Sequence, residues 1–461
     1  MQLMFFQKTK KFILLGGDLL ILYFSLYLTL LLRYGPPIKV SLWEKHFFPF
    51  TVIYFFWLTV FYIIGLYDPN IQKNALPFYS LLGKALFLNS IVAVAFFYFV
   101  PDPGISPKRV LFINLIVFAV LFYFWRKLYN KILSSQAVTN NILIIGANDQ
   151  VLEIVKTINQ NPQLGYQIKV IINNENKDFS RWNKKIKIIN DWNFNLPQII
   201  KQEKIQTIVT VRQLPPHEKI TRQLYQCLNL KVSFLNLPQF YEQLTGKIPI
   251  NLINEIWFLE NLKESEKNFY EFFKRISDII LAIVALIISL PFLPILAILI
   301  KLDSPGPVFF TQIRTGRGGK NFLAIKLRTM VKDAEKHGAE WAKENDPRIT
   351  RLGKFLRKTR IDEIPQLFNI IRGEMSFVGP RPERPEFIKT LEQHIPFYKE
   401  RLIVRPGLTG WAQVNFPYGA SIEDALWKMQ YDLYYIKNRS FILDLSIILK
   451  TIKIVLLGGG R

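Results

Sequence analysis

The stretch Ile279–Ile300, IILAIVALIISLPFLPILAILI, decides how this chain is read. A bilayer core about 30 Å thick needs roughly 20 apolar helical residues to cross it, so the stretch is long enough to span. Pro291 and Pro294 lie inside it, and each removes a backbone donor and favours a kink. Both flanks are basic, with Lys274 and Arg275 before it and Lys301, Arg314, Arg317, Lys320, Lys326 and Arg328 after it. Lys and Arg stay on the cytoplasmic side of a membrane, so both ends are expected there. A helix that enters, breaks near Pro291 and returns satisfies both observations; a tilted span is the alternative that composition leaves open.

Four more segments approach spanning length towards the N-terminus: Phe12–Leu32, Phe47–Tyr67, Leu81–Val100 and Val110–Trp125. The first follows Lys8, Lys10 and Lys11, as a secretory signal would, but it is too long for one and ends in Arg33 without a small-residue cleavage site. Asp18 sits inside this span, where an acid is costly; it should lie near a helix end or face the bundle. Lys84 is close enough to an end to snorkel. With four spans, the basic clusters before the first and after the fourth (Arg126, Lys127, Lys131) fall on one side, expected to be cytoplasmic.

From about Asn140 the period changes. Short apolar runs at Asn141–Ile145, Lys169–Ile172 and Thr207–Val211 alternate with helical patterns such as Gln150–Asn159, a βαβ rhythm that predicts an open parallel sheet. The first turn carries Gly146, but positions 148 and 151, where a dinucleotide fingerprint wants glycine, hold Asn148 and Val151. Nicotinamide binding is therefore not expected, and a regulatory or structural Rossmann-like domain is.

The chain of 461 residues is half hydrophobic yet carries a formal charge of +24. That suits apolar spans joined to a basic surface for anionic lipid or phosphorylated substrates. Nucleic acid is not an expected partner, because no recognition motif accompanies the charge. A single cysteine, Cys227, excludes an internal disulfide, and His46, His217, His337 and His394 are too scattered for a metal-ligand pattern.

The densest chemistry runs from Asp303 to Asn415. Arginines and lysines there, among them Arg314, Arg317, Lys326, Arg328, Arg348, Arg351, Arg357, Lys358 and Arg360, alternate with Gly316, Gly318 and Gly319. Backbone N–H groups and arginine forks are natural partners of phosphate. One acidic pair lies in this field, Asp362-Glu363, just before Pro365. Pro365 suits the first turn of a helix, so two acids complementing a helix N-terminus is the plain reading. The functional reading gives them a cation or a nucleophilic role, since magnesium shares few carboxylates with phosphate oxygens and an aspartate can attack phosphorus. Downstream, Ser376–Pro382 (SFVGPRP) and Arg405–Asn415 (RPGLTGWAQVN) each set an arginine beside proline, which restricts its backbone. The last segment, Phe441–Leu457, reads either as a helix on a membrane surface or as a buried amphipathic one.

These residues carry a resemblance. Ser304–Met330 (SPGPVFFTQIRTGRGGKNFLAIKLRTM), Asp362–Pro382 (DEIPQLFNIIRGEMSFVGPRP) and Arg405–Asn415 closely resemble the bacterial sugar transferase family, the polyprenyl-phosphate phosphoglycosyl transferases that begin exopolysaccharide and O-antigen assembly. The resemblance implies a mixed membrane fold: a four-helix transmembrane domain over 1–132, a Rossmann-like accessory domain over 138–262, and a monotopic α/β catalytic domain over 270–461. A re-entrant helix over 276–301 would break at Pro291, with Leu290 and then Ser289 before it. Asp362 would attack the sugar-bearing phosphate of a UDP-sugar with magnesium bound, releasing UMP, and undecaprenyl phosphate would take the sugar phosphate from it. Glu363 would assist as metal partner or base, so both acids are candidate magnesium ligands. Arg357, Arg381 and Arg405, with Lys326 and Arg328, would bind phosphate. The site would face the cytoplasm at the inner membrane of a bacterium. The sugar and the oligomeric state, a homo-oligomer included, stay open. Two other classes of function compete with this reading: a membrane-anchored sugar-nucleotide dehydratase or epimerase, and a non-catalytic regulator of polysaccharide assembly.

Overall fold

The computed structural model describes all residues except 1, 68–75, 101–106, 134–138, 173–185, 191–193, 212–217, 263, 333, 335–345, 417–418, 420 and 457–461. His217, His337 and Leu457, named above, lie outside the described residues. Contacts divide the chain into two compact units, Met1–Leu244 and Thr245–Arg461.

The first unit begins with helices α1 (Gln2–Tyr34), α2 (Val40–Ile64), α3 (Leu76–Phe99) and α4 (Pro107–Leu133). All four hold segments long and apolar enough to cross a membrane, Phe12–Tyr34, Val40–Ile64, Phe78–Phe99 and Arg109–Ile132. Their shared core is aromatic: Phe61 stacks on Phe122 at 4.8 Å and Trp57 tilts against Phe118 at 5.1 Å. Several polar groups inside the bundle satisfy one another, as a site shielded from water favours. Asn114 donates to Ser25 and Thr29 and accepts from Tyr54. Asp18 faces the bundle, fully buried, and pairs with Arg126 at 2.6 Å.

An α/β portion follows: β1 (Asn140–Ile145), α5 (Asp149–Gln160), β2 (Tyr166–Ile172), β3 (Lys187–Ile189), α6 (Leu196–Gln202), β4 (Thr207–Thr210), α7 (Glu218–Gln226), β5 (Ser233–Asn236) and α8 (Leu237–Thr245). The strands form one parallel sheet in the order β3-β2-β1-β4-β5. Position 148, where the fingerprint would want glycine, is the N-cap of α5, and Asn148 accepts from the Val151 amide there. The edge strands β3 and β5 escape the sequence reading because they are three and four residues long and mostly unburied.

The second unit holds α9 (Glu255–Asn261), α10 (Asn268–Ser289), α11 (Leu293–Asp303), β6 (Phe309–Thr315), β7 (Asn321–Leu327), α12 (Arg351–Thr359), α13 (Gln366–Arg372), β8 (Ser376–Val378), α14 (Pro385–His394), β9 (Gly407–Thr409), α15 (Trp411–Asn415), α16 (Ile422–Asn438) and α17 (Phe441–Leu456). Residues 245–262, grouped by sequence with the middle domain, pack here: Ile248 and Ile250 share a core with Leu391, Met429 and Leu433. Short turns without a clear period gave no signal for that switch.

The stretch that opened the reading is two helices meeting at 65° across Leu290–Phe292. Pro291 sits at the break, and Pro294 lies within the first two positions of α11, where a missing N–H is harmless. The Ser289 hydroxyl donates to the Leu286 carbonyl at 3.0 Å. Around the break apolar side chains stand exposed, Ile287 at 65% and Phe292 at 59%. The start of α10 is instead tied down by polar groups. Lys274 pairs with Asp444 at 2.8 Å, and Asp278 accepts from the Phe377 amide. Arg275 donates to the last carbonyls of α13, Ile370 and Ile371. In helix α17 Asp444 is buried against Tyr270 and Tyr435, while Ile442 and Leu445 are exposed.

Candidate active site

The acid pair is placed by three elements. Helix α12 ends at Arg360, whose backbone is left-handed at φ +56°, and a single 3₁₀ turn, Ile361–Glu363, carries both carboxylates. Helix α13 starts beyond it with Pro365 as N-cap and no side-chain cap bond, so the acids are not caps. Asn369, fully buried on α13, fixes this turn against β7: its amide donates to the Leu323 carbonyl and to Glu374, and its oxygen accepts from the Ile325 amide. Lys326 lies on β7 two residues beyond the inward-facing Ala324, which aims it at the same turn.

The two motif loops downstream interlock. Strands β8 and β9 pair in parallel, Ser376 beside Gly407 and Val378 beside Thr409. The chains approach so closely that a Cβ on Gly407 would lie 2.1 Å from the Gly379 nitrogen, which explains glycine in both loops. This pairing launches Arg381 towards the dyad. Arg401, buried, holds the loop from behind: it donates to the Arg381 carbonyl and to Asp432, each at 2.9 Å. Arg314 donates to the Pro382 carbonyl at 3.1 Å. A shallow cleft lies beside this loop, lined by Thr315, Gly316, Arg381 and Glu383 among others.

The carboxyls of Glu363 and Asp362 are shifted in opposite directions. Glu363 is held at Oε1 by Arg381 (2.8 Å) and Lys326 (3.3 Å), with Arg360 3.9 Å from Oε2. Burial opposes its charge, but those cations prevail and hold the carboxyl well below the usual range. Asp362 is nearly as buried, yet among the described residues its carboxylate accepts no hydrogen bond. Burial and then the neighbouring Glu363 charge push its pKa up to about 6, against the pull of Lys326, Arg357 and Arg381. At neutral pH it is an ionised, unengaged carboxylate, the state a nucleophile requires. Glu363, so firmly ionised, is a poor base and a good anchor.

Not every expected phosphate ligand joins this group. Lys326 and Arg381 reach Glu363, and Arg357 donates to Thr329 at 2.8 Å while its charge acts on Asp362. Arg328 is buried elsewhere, donating to the carbonyls of Ile300 and Ser304 at the end of α11. Arg405 donates to the Gly373 carbonyl beyond α13 and lies 3.8 Å from Glu271. Those two arginines close helix ends, a favourable place for a cation. Two further features lie outside the residues expected from sequence to bind phosphate: Arg360 stands beside the dyad and Arg401–Asp432 supports its loop; the first is visible in sequence as one charge in a basic run, the second has no local signal.

The four apolar helices suggest a membrane protein, and its acid pair lies among cations. A family profile described as bacterial sugar transferase matches residues 269–458. The UDP-N-acetylgalactosamine-undecaprenyl-phosphate N-acetylgalactosaminephosphotransferase of Aeromonas hydrophila is 44% identical over 52% of this chain and 56% of its own length. A putative undecaprenyl-phosphate N-acetylgalactosaminyl 1-phosphate transferase of Bacillus subtilis is 54% identical over 28% of this chain and 72% of its own length. The UDP-glucose:undecaprenyl-phosphate glucose-1-phosphate transferase of Xanthomonas campestris is 44% identical over 40% of this chain and 39% of its own length. The chain thus spans about half the length of the Aeromonas relative and less of the Xanthomonas one. It belongs to the bacterial sugar transferase family.

Proposed function

We propose that this protein transfers a sugar 1-phosphate from a UDP-sugar to undecaprenyl phosphate, releasing UMP, through a phosphosugar carried on Asp362. The observation that supports it most is the division within the dyad: one carboxylate immobilised among cations, its neighbour ionised and free. In the first step a carboxylate oxygen of Asp362 attacks the sugar-bearing phosphorus. An acyl–phosphate bond forms, the bond from phosphorus to the bridging oxygen breaks, and UMP leaves with that electron pair. In the second, a phosphate oxygen of the lipid attacks the same phosphorus and the Asp362 carboxylate is restored. Lys326 and Arg381 offer N–H donors to the phosphoryl oxygens, a type of contact whose loss costs about 10²–10³-fold in kcat.

Magnesium fits the acids present. Among the described residues Asp362 has both oxygens unengaged and Glu363 Oε2 has no hydrogen-bond partner, and magnesium takes its remaining ligands from phosphate and water. Bound there, it would draw charge from the phosphate oxygens. The α10–α11 pair is a re-entrant hairpin that enters and leaves on the cytoplasmic face of the bacterial inner membrane. Its 65° bend, its exposed apolar tip and its basic flanks support this reading. The Rossmann-like domain is accessory, and the reaction starts exopolysaccharide, O-antigen or capsule assembly. The relatives' names include both N-acetylgalactosamine and glucose, so the donor is settled by assay. Purified protein with undecaprenyl phosphate and magnesium should release UMP from one member of a UDP-sugar panel; release from none of them would refute the proposal.

A further inference from the structure

Arg360 occupies a position that favours another residue. It follows the last turn of α12 in the left-handed conformation, φ +56°, where glycine is the common occupant because a side chain there is strained. Its guanidinium is mostly enclosed, the side chain 19% exposed, yet among the described residues Nε and Nη1 make no hydrogen bond. The nearest acid oxygen, Glu363 Oε2, is 3.9 Å from Nη1 and is itself without a partner. Glu363 already has Arg381 and Lys326 on its other oxygen, so Arg360 is not required to neutralise it. Its charge also acts on Asp362, two residues along. Four cations, Lys326, Arg357, Arg360 and Arg381, therefore act on two acids, and among them Arg360 combines a strained backbone with idle donors. Buried donors without acceptors and left-handed side chains both cost stability, and such features persist where function uses them.

We propose that Arg360 contacts the substrate, its Nε and Nη1 groups donating to oxygens of the phosphoryl group as that group passes onto Asp362. This rests on the phosphoryl-transfer reading above and adds to it a residue that the acid pair and its two bound cations do not supply. A purely structural role would require Arg360 to stabilise the fold; the substrate role predicts the opposite sign.

The test uses the full chain in lipid nanodiscs, with Arg360→Gly and Arg360→Lys, UDP as the binding probe, and UMP release as the assay. Arg360→Gly should lose about 10²-fold in kcat/KM. It should unfold at a temperature equal to or above that of the native protein, because strain and surplus charge are both relieved, and UDP should no longer raise that temperature. Arg360→Lys should recover part of the loss, since it returns the charge without the fork. A lower unfolding temperature in Arg360→Gly, an undiminished response to UDP, or kcat/KM within about threefold of native would each overturn the assignment. Failure of the transfer reading looks different: the native protein itself would release no UMP and gain nothing from UDP, and both proposals would fall together.

Discussion

Asp18 in the span bundle and the Asp362-Glu363 pair in the catalytic unit are both buried acids set against arginine, and they differ in how far they are satisfied. Asp18 has one partner of opposite charge, Arg126 at 2.6 Å, and its second oxygen accepts from Trp125 at 2.9 Å. Arg126 in turn donates to the Leu66 carbonyl and lies against the rings of Phe122 and Tyr67. One acid thus meets one base, a set closed in charge, although Arg126 Nε has no hydrogen-bond partner among the described residues. Around the dyad four cations meet two acids, and among the described residues Asp362 accepts nothing and donors on Arg360 stand idle. A charge buried with its complement holds a fold together; a charge buried without it marks where a ligand completes the set.

The comparison breaks first at Glu363. Glu363→Gln leaves its cations facing only Asp362 and should cost about 3–5 kcal/mol, the usual result of removing one member of a buried pair, measured by thermal or denaturant unfolding. Its carboxyl is held below the ordinary value in the folded protein. The stability it contributes is therefore fully present above pH about 4.5 and is lost as pH falls through the folded value, so the variant should differ least from native at low pH.

Asp18→Leu should cost a similar amount, about 3–5 kcal/mol, by stranding Arg126. The protein that does fold should keep its kcat, because the pair belongs to the bundle. Adding Arg126→Leu should restore most of the stability, and a double-mutant cycle reads the coupling directly. If the double variant is as unstable as the sum of the singles, the pair is not the closed set described.

Much of this contrast was legible in the chain. Four apolar runs, the proline-broken stretch and the Asp362-Glu363 pair stand out because composition and spacing alone expose them. The partners did not. Nothing near Asp18 names Arg126, 108 residues away, and nothing near Arg381 names Arg401 and Asp432 as its support. Nor does the sequence show that Arg328 and Arg405, expected at phosphate, donate to the carbonyls of Ile300, Ser304 and Gly373, because a basic residue in such a motif and one closing a helix end look alike there. The helix-capping reading of the acids failed on a detail of backbone, the 3₁₀ turn that separates them from α13.

A smaller effect should appear in pH dependence. With its folded pKa at about 6, Asp362 is half-ionised there, so kcat/KM should rise with pH through about 6 and level off above 7. The stability effect has the opposite sense to that of Glu363. A raised acid binds its proton more tightly folded than unfolded, so stability declines as pH rises from about 4 to 6. Asp362→Asn should therefore unfold at a higher temperature than native at pH 8 and show no such advantage at pH 4. The smallest change belongs to Arg405→Lys, which keeps charge at a helix end; about 1 kcal/mol of stability should go with the Gly373 bond, with kcat/KM within about threefold of native in the UMP assay.

The central claim is that the unengaged carboxylate of Asp362 carries the sugar phosphate. Purified protein mixed with its UDP-sugar and magnesium, without lipid acceptor, should be digested and its peptides weighed. The peptide containing Asp362 should gain the mass of one sugar phosphate, lose it when undecaprenyl phosphate is added, and show no gain in Asp362→Asn. Turnover that proceeds with lipid while no peptide ever carries the adduct, or an adduct that persists in Asp362→Asn, would contradict the account.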